Sequence, residues 1–217
     1  MRLLDRVQHR SVRTRSEIEA VDWIRREAAS RRGIDPRAEH RLDKALDHAP
    51  DTWVTATFID GELASTLRIR APAKANDRLP SANVFSDGIE PYLQKGAAII
   101  DTSQLAVRLE YAQRFPEMPY VAQRPAWLAG EHFDADFIVA TIFRELQPFY
   151  QRVFGYEPWR ELRPHPDFDC DMCCMRLDFR AAKQGVEASH PFLRSSQAER
   201  DALFRRSASF RAVLAYG

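Results

Sequence analysis

The sequence lacks any long apolar run. Among its 217 residues, none of the apolar stretches approaches the roughly 18 residues of a membrane-spanning helix. The first fifteen residues, MRLLDRVQHRSVRTR, contain no apolar signal core. An excess of one charge is also missing, because 32 basic residues and 31 acidic ones leave a net charge of +1. We therefore expect a cytoplasmic protein without a membrane span, and no overall field that would favour nucleic acid.

Cysteine is scarce, with three residues that all lie in CDMCC at positions 170–174. An odd, clustered set does not form the disulfide framework of a small secreted protein. With His165 nearby, zinc is conceivable, but no second ligand pair occurs at a distance, and a buried strand is favoured. A second candidate, His40 with Asp43 and Asp47, is more typical of a solvated acidic helix face. We predict no metal site.

The N-terminal part of the chain carries helix signals. Residues 1–15 form a basic arm, after which Ser16 and Glu19 predict a capping box for a first helix that ends near Gly33. The dipeptide at 35–36, Asp-Pro, predicts the start of a second helix. The length and the 45% apolar composition suit a single mixed domain spanning residues 1–217.

Strand signals dominate the middle of the chain. WVTATFID ends at Asp60, and Gly61 separates it from ELASTLRIR, so the Asp-Gly pair predicts a β-hairpin. A loop with proline, APAKANDRLPSAN, follows the hairpin, and a poorly periodic stretch surrounds Pro116, Pro119 and Pro125. Three further strands are predicted, in IIDTSQLAVRL, DFIVATIF and DCDMCCMRLDF. A short helix is predicted in LQPFYQRVFGY and ends at Gly155. A C-terminal helix is predicted over about 195–215, with apolar residues at Leu203, Phe204, Phe210, Val213 and Leu214.

One acidic residue interrupts an apolar strand. In IIDTSQLAV, residues 99–107, two isoleucines run directly into Asp101. An acid inside a buried strand must be paired, protonated or functional, because burial of an isolated carboxylate is costly. Pairing with Arg68 or Arg70 and a functional role are both open at this point.

The order of these elements resembles the GNAT acyltransferase fold. FYQRVFGY, residues 149–156, resembles the ending of the helix that follows the fifth strand in that superfamily. The resemblance implies an α+β fold with a central mixed sheet flanked by helices. It also implies that the fourth and fifth strands splay apart and admit the pantetheine arm of an acyl donor.

A narrower resemblance is carried by the hairpin and the strand that holds Asp101. GELASTLRI, a variable loop and DTSQLAV are similar to the acyl-homoserine lactone (autoinducer) synthases and the related N-acyl amino acid synthases. Those families place Glu, two residues and Arg on this strand, whereas this chain has Asp101 and Gln104. Aspartate keeps the carboxylate, but glutamine lacks the guanidinium and its bidentate geometry.

The resemblance implies roles for individual residues. Asp101 would orient the acceptor ammonium and receive its proton, directly or through water. Tyr150 would protonate the leaving thiolate, although a packed aromatic is the plainer interpretation. The residues implied to bind the donor are Leu105, Ala106, Val107, Arg108 and Arg114, and those implied to bind the acceptor or organise the site are Arg25 (or Arg26), Asp43, Asp47, Arg68 and Gln104.

The acyl donor is suggested by a missing turn. GNAT enzymes that use coenzyme A generally have a Gly-rich turn after the fourth strand, and RLEYAQRFPEM has no glycine. The lactone synthases also lack this turn and typically accept acyl chains from acyl carrier protein. The arginines implied to attract that acidic protein are Arg2, Arg6, Arg10, Arg13 and Arg15 at the N-terminus and Arg108, Arg114 and Arg124 on the donor side.

These observations favour an N-acyltransferase. It would move a medium or long acyl chain from carrier protein, or alternatively coenzyme A, to the amine of an amino acid or small amine. We expect no tightly bound cofactor, and a monomer or homodimer. The alternative is a non-catalytic GNAT-like protein that binds an acyl ligand or a macromolecule. Nucleic acid is disfavoured because few aromatics are interleaved with the N-terminal arginines.

Overall fold

A computed structural model describes residues 3–34, 45–71, 79–166 and 170–205. Its strands are β1 (Val7–Ser11), β2 (Thr52–Ile59), β3 (Glu62–Arg70), β4 (Ile99–Val107), β5 (Phe137–Phe143), β6 (Glu157–Pro164) and β7 (Asp171–Asp178). Its α-helices are α1 (Arg15–Arg31), α2 (Ala82–Gln94), α3 (Leu109–Arg114), α4 (Met118–His132), α5 (Gln147–Phe154), α6 (Phe179–Ser189) and α7 (Gln197–Phe204).

The seven strands form one mixed sheet in the order β1-β2-β3-β4-β5-β7-β6. The pairs β1–β2, β5–β7 and β6–β7 are antiparallel, whereas β4 and β5 run parallel. A parallel pair needs a long crossover connection, and α3 and α4 supply it between β4 and β5. The predicted mixed sheet with flanking helices is confirmed.

The strands β4 and β5 pair only over their first residues. Their register runs from Ile99 opposite Phe137 to Thr102 opposite Ala140, although β4 continues to Val107 and β5 to Phe143. Gln104, two residues beyond the last pair, has a φ of 54°, in the left-handed region. A left-handed residue inside a strand bends it away from its partner. The expected divergence of these strands is thus confirmed.

Contact clustering divides the chain into two compact units. The first contains Met1–Arg68, Gln104–Pro125 and Ser196–Gly217, and the second contains Ile69–Ser103 and Ala126–Ser195. Both are discontinuous in sequence, so neither corresponds to one stretch of chain. The core of the second unit is built on Phe85, Ile89 and Ile99, which are fully buried. A single domain over 1–217 stays a prediction.

Two apolar clusters lie in the described part of the first unit. One surrounds Val12 and Val21 and packs α1 against β2. The other surrounds Ile59 and Met118 and packs α3 and α4 against the hairpin. Burying one fully enclosed Leu or Ile side chain contributes about 1.5–3 kcal/mol, so these clusters fix α1 and the hairpin within the unit.

The arginine-rich N-terminal segment contains a strand that was not predicted from the sequence. Residues 7–11 form β1 and pair with β2 from Val7 opposite Ile59 to Ser11 opposite Thr55. The cap of α1 also differs from the prediction. Thr14 accepts the backbone N–H of Glu17, whose carboxylate reaches back to the N–H of Thr14. The capping box therefore begins two residues before Ser16, because Thr-x-x-Glu satisfies the same pattern.

The predicted hairpin is confirmed. β2 ends at Ile59 and β3 begins at Glu62, with Asp60 at a φ of 53° and Gly61 at 85°. Two left-handed central residues match the right-handed twist of the flanking strands. The short helix α5 also ends as predicted, at Gly155 with a φ of 74°.

Several helices and one further strand were not predicted from the sequence. The stretch around Pro116, Pro119 and Pro125 is poorly periodic and predicted no helix, but Pro119 and Pro125 lie in α4. Pro119 occupies the first turn, where its missing N–H costs nothing. The helix α2, with Pro91 inside, was also missed, as were β6 and α6.

Some sequence predictions fall partly outside the described residues. Of the second predicted helix, only residues 45–47 are described as helical. The C-terminal helix, predicted to start near residue 195, is capped by Ser196, and α7 runs to Phe204. Phe210, Val213, Leu214 and Asp43 lie outside the described residues.

The cysteines, possible metal ligands and possible membrane spans can be compared with the structure only within the described ranges. Cys173 and Cys174 are buried in β7, as the strand pattern predicted, and Cys170 is exposed. Within those ranges, no three His, Cys, Asp or Glu side chains come together as a metal site would require. No helix in the described part of the chain has the length and apolarity to cross a membrane.

Candidate active site

Asp101 lies on β4 within the short segment that pairs with β5, and its side chain is fully buried. Its Oδ2 accepts the backbone N–H of Ser81 at 2.7 Å, and its Oδ1 accepts the Ser81 hydroxyl at 2.9 Å. Hydrogen bonds to a carboxylate are roughly twice as strong as neutral ones. Asp101, the acid inside the apolar strand, is thus held by Ser81, the residue that precedes α2.

The network extends from Ser81 to β5. The Thr141 hydroxyl donates to Ser81 Oγ at 2.9 Å. Ser81 is buried, whereas Thr141 is half-buried and follows Ala140, the last residue of β5 that pairs with β4. A chain of two hydroxyls therefore connects the divergence of the strands to the Asp101 carboxylate. Neither hydroxyl residue was predicted from the sequence.

Cys174 shares this part of the sheet and lies opposite Thr141 in the β5–β7 register. Burial raises the pKa of the Cys174 thiol far above its ordinary value, and the charge of Asp101 raises it further. A thiol with a raised pKa is a poor nucleophile. The buried thiol of Cys174 is therefore poorly suited to act as a nucleophile.

A second group of predicted residues meets in the first unit. Arg25, on α1, donates to Asp47 through Nη1 at 2.5 Å and Nη2 at 3.3 Å. Arg68, on β3, lies 3.6 Å from the same carboxylate. The three side chains are 9%, 12% and 3% exposed. Because arginine stays charged when buried, this cluster ties α1 and β3 to the segment around Asp47.

Arg25 and Arg26 lie in different surroundings. Arg26 is half-exposed and lies 3.9 Å from Asp22, one helical turn away, whereas Arg25 enters the buried cluster. Next to the cluster is a small pocket of about 70 Å³, whose lining is mostly apolar with two carboxylates and an imidazole. The lining residues are Val12, Ile18, Val21, Asp22, Asp47, His48 and Val54.

The predicted donor strand is the second half of β4. Ala106 is buried, and Leu105 and Val107 pack against the Ile59–Met118 cluster. The Val107 carbonyl accepts the Arg31 guanidinium at 2.7 Å. The next N–H, from Arg108, donates to the Ala64 carbonyl at 2.9 Å. These two backbone groups are therefore already bonded within the protein.

The donor-side arginines are engaged by other side chains. Arg108 forms an ion pair with Glu110, and its guanidinium carbon lies 5.7 Å from the Trp23 ring centroid. Arg124 pairs with Glu199, and Arg114 lies over the ring of Phe115 at 5.1 Å. The positive charge that could attract an acidic partner is thus partly neutralised at Arg108 and Arg124.

The N-terminal arginines are engaged in a similar way. Arg6 pairs with Asp60, Arg10 with Glu17, and Arg15 with Glu19. Arg13 donates to the Ala202 carbonyl at 3.3 Å, and Arg2 lies outside the described residues. Exposed ion pairs contribute little to stability, but each removes most of the net charge that an arginine alone would present.

Tyr150 is 3% exposed on α5. Its ring meets Tyr156 edge-on with centroids 5.2 Å apart and Phe149 at 5.8 Å. Burial raises the pKa of Tyr156 well above its ordinary value, as does neighbouring Tyr150. The packing agrees with the plainer interpretation of Tyr150 as an aromatic, and a role in proton transfer stays a prediction.

The geometry matches known acyltransferase structures. The chain is similar to FeeM, an N-acyl amino acid synthase from uncultured soil microbes, with a TM-score of 0.73, 14% identity and coverage of 85% of this chain and 98% of that one. An acyl-CoA N-acyltransferase from Pseudomonas aeruginosa gives a TM-score of 0.54 at 19% identity, covering 78% and 97%. BjaI, a CoA-dependent acyl-homoserine lactone synthase, gives 0.53 at 12% identity, covering 86% and 88%. No curated protein matches the sequence significantly.

The sheet, the divergent strands and these similarities define a GNAT fold. Residues 20–178, more than half of the chain, match the family described as N-acyl amino acid synthase FeeM. The chain belongs to this family and is a GNAT-type acyltransferase, so the resemblance drawn from the sequence is confirmed.

Proposed function

We propose that the protein transfers an acyl chain from a phosphopantetheine thioester to the amine of an amino acid or a small amine. The observation that carries the proposal is the buried Asp101 carboxylate beside the divergence of β4 and β5. In the reaction, the C–S bond of the thioester breaks and an amide C–N bond forms. The acceptor ammonium loses two protons, one before attack and one after it, and the thiolate gains one.

Asp101 is the acceptor of the amine proton in this proposal. A neutral amine attacks a thioester far better than an ammonium, so a base near the acceptor contributes typically a factor of 10² to 10⁴. Tyr150 is the proposed donor to the departing thiolate, and Tyr150→Phe tests it by removing only the hydroxyl. An unchanged rate in that variant would leave thiolate protonation to water.

The remaining predicted residues have organising roles. The Arg25–Asp47–Arg68 cluster holds α1 and β3 in a fixed arrangement, and we assign it to organising the acceptor side. Asp43 and Gln104 keep the same proposed role. Leu105, Ala106 and Val107 line the donor path, with Arg108 and Arg114 next to them along the chain.

Acyl carrier protein is the proposed donor, in preference to coenzyme A. A single residue, Arg108, links β4 to α3, and this leaves no Gly-rich turn for a pyrophosphate. Glu110 occupies the first turn of α3, where its charge opposes a phosphate group. BjaI is described as CoA-dependent, so similarity of fold alone does not decide the donor.

The donor proposal is tested with one acyl chain on two carriers. We expect acyl carrier protein thioester to be turned over with a higher kcat/KM than the matched acyl-coenzyme A. Added salt should weaken the carrier-protein reaction alone, because long-range charge attraction is screened. Efficient, salt-independent turnover of acyl-coenzyme A that the carrier-protein thioester does not match would contradict the donor assignment. Ligand binding without amide formation from either donor would contradict catalysis itself.

A further inference from the structure

The Asp101 carboxylate is completely enclosed, although its proposed role requires it to receive a proton from an acceptor. Its solvent exposure is 0%. A general base must lie within hydrogen-bond reach of the proton it removes, or be connected to it through an intervening group. The described structure contains such a group.

The connection is made by two hydroxyls in series. Thr141 Oγ1 donates to Ser81 Oγ at 2.9 Å, and Ser81 Oγ donates to Asp101 Oδ1 at 2.9 Å. Both distances fall in the normal range for O–H···O bonds. Both donors point the same way, so a proton arriving at Thr141 moves to Asp101 by successive transfers along existing hydrogen bonds.

Backbone structure holds the chain of hydroxyls in place. The Ser81 N–H donates to Asp101 Oδ2 at 2.7 Å, so the carboxylate and the serine are joined twice. Thr141 is fixed in β5 through its pairing with Cys174 on β7. Such positioning by regular elements limits the reorganisation that proton transfer requires.

Of the hydrogen-bonded residues Thr141, Ser81 and Asp101, Thr141 is the one that can meet a substrate. It is half-buried, whereas Ser81 and Asp101 are 3% and 0% exposed. It is also the first residue of β5 beyond the pairing with β4. The alternative to a catalytic role is that Thr141, in the apolar strand FIVATIF, is a structural residue whose hydroxyl only satisfies a hydrogen bond.

We propose that Thr141, Ser81 and Asp101 form a proton relay for the acceptor amine, an inference that rests on the proposed function. The N–H bond of the bound ammonium breaks as Thr141 Oγ1 takes the proton, and the hydroxyl proton of Thr141 passes to Ser81. The hydroxyl proton of Ser81 passes to Asp101, which becomes a neutral carboxylic acid. Reverse movement along the same hydroxyls releases the proton to water after the product has left.

The test compares Thr141→Val with Thr141→Ser. Valine keeps the shape and the strand preference of threonine but has no hydroxyl, whereas serine keeps the hydroxyl. At neutral pH we expect Thr141→Val to lower kcat about a hundredfold, with KM nearly unchanged, because proton transfer contributes about that factor. We expect Thr141→Ser to retain most of the wild-type rate, and Ser81→Ala to resemble Thr141→Val.

A pH profile separates the relay from a structural role. As the pH approaches the pKa of the acceptor, more amine arrives already neutral and needs no relay. The deficit of Thr141→Val should therefore shrink up to tenfold for each pH unit. Thermal melting of each variant accompanies the rates, and if Ser81→Ala does not fold, the two Thr141 variants decide alone.

The outcomes distinguish the relay from the proposed function. A wild-type rate in Thr141→Val, or a deficit that is the same at every pH, would overturn the relay while leaving acyl transfer intact. No amide formation by the wild-type protein from either thioester would overturn the proposed function, and the relay with it. A pH-dependent deficit that Thr141→Ser rescues supports both.

Discussion

At the scale of the residue, both carboxylate oxygens of Asp101 accept hydrogen bonds from Ser81, so replacing Asp101 has two separable effects. Asp101→Asn should lower the acyl-transfer rate about a hundredfold, because the amide cannot accept the amine proton. It should also lower the free energy of unfolding by about 1–3 kcal/mol, since the asparagine N–H₂ group would face a hydrogen-bond donor of Ser81. The measurement is acylation rate and melting temperature on one preparation.

The matched control for this variant is Asp136→Asn. Asp136 also accepts a backbone N–H, from Ala98 at 2.9 Å, and it too lies beside the paired segment of β4 and β5. Its change should leave the rate per folded molecule unaltered. A destabilised Asp101→Asn protein with a normal rate per folded molecule would remove Asp101 from the mechanism.

Gln104 supplies a second prediction at this scale. Its φ of 54° is unfavourable for a β-branched side chain and neutral for glycine. Gln104→Val should therefore lower the free energy of unfolding by about 1–3 kcal/mol, whereas Gln104→Gly and Gln104→Asn should cost much less. Urea denaturation of the three variants measures this difference. Equal losses in the valine and asparagine variants would show that the backbone relaxes.

The sequence revealed the acid but not its hydroxyl partners. Asp101 was conspicuous because a charge inside an apolar strand is rare and expensive. Ser81 and Thr141 are 60 positions apart in sequence, and hydroxyl residues are common in loops and strands. Neither position carries a local signal, so only the fold brings them together.

At the scale of the element, local signals decided which parts were predictable. The hairpin at Asp60–Gly61 and the end of α5 at Gly155 depend on neighbouring residues alone, and both were predicted correctly. The helices α2 and α4 contain prolines, and packing outweighs their poor propensity. The cap of α1 was misplaced because two overlapping segments fit the same capping pattern.

Two glycines in helices offer a prediction with an internal control. A Cβ at Gly130, in α4, would lie 2.7 Å from the Phe179 ring and 2.9 Å from Ile138, whereas a Cβ at Gly185, in α6, would meet nothing within 4 Å. Gly130→Ala should lower the free energy of unfolding by about 1–3 kcal/mol through overpacking. Gly185→Ala should raise it by about 0.5–1 kcal/mol through helix propensity.

Urea denaturation of these two alanine variants measures the opposite signs. A stabilised Gly130→Ala protein would mean that Phe179 and Ile138 move aside at little cost. Such an outcome would show that α4 and α6 are packed less tightly against β5 than the contacts indicate.

At the scale of the whole molecule, the mixed sheet and the divergence of β4 and β5 were expected from the resemblance to GNAT enzymes, since strand pairing leaves no trace in local periodicity. The structure also contains one group that should make the molecule sensitive to acid. Desolvation of the imidazole, with a smaller contribution from the nearby Arg124 charge, lowers the pKa of His9 to about 3. Its ring lies 3.2 Å from the Thr57 hydroxyl on the paired strand.

This shift predicts how stability depends on pH. Between about pH 6.5 and 3 the unfolded chain binds a proton at His9 that the folded chain does not, so the free energy of unfolding rises with pH in this window. Acidification below pH 6.5 should lower it by up to about 1.4 kcal/mol per pH unit. Arg163 and Arg160 hold the pKa of Asp87 at about 2, so Asp87 adds to the loss only below about pH 4.

Urea unfolding at pH 7.5, 6 and 5 measures the dependence, and His9→Gln is the control because glutamine does not titrate. The variant should lose most of the slope between pH 6.5 and 5. An equal slope in the variant and the wild-type protein would assign the acid sensitivity to other groups.

The different exposure of the three cysteines allows the local unfolding of β7 to be measured by thiol alkylation. Burial raises the pKa of the Cys173 and Cys174 thiols, whereas Cys170 is exposed. An alkylating reagent should modify one thiol promptly and the other two only when β7 separates from its neighbours. The rate of the slow phase, read by mass in a pulse of reagent, therefore measures the local unfolding of β7, which pairs with the strand that carries Thr141.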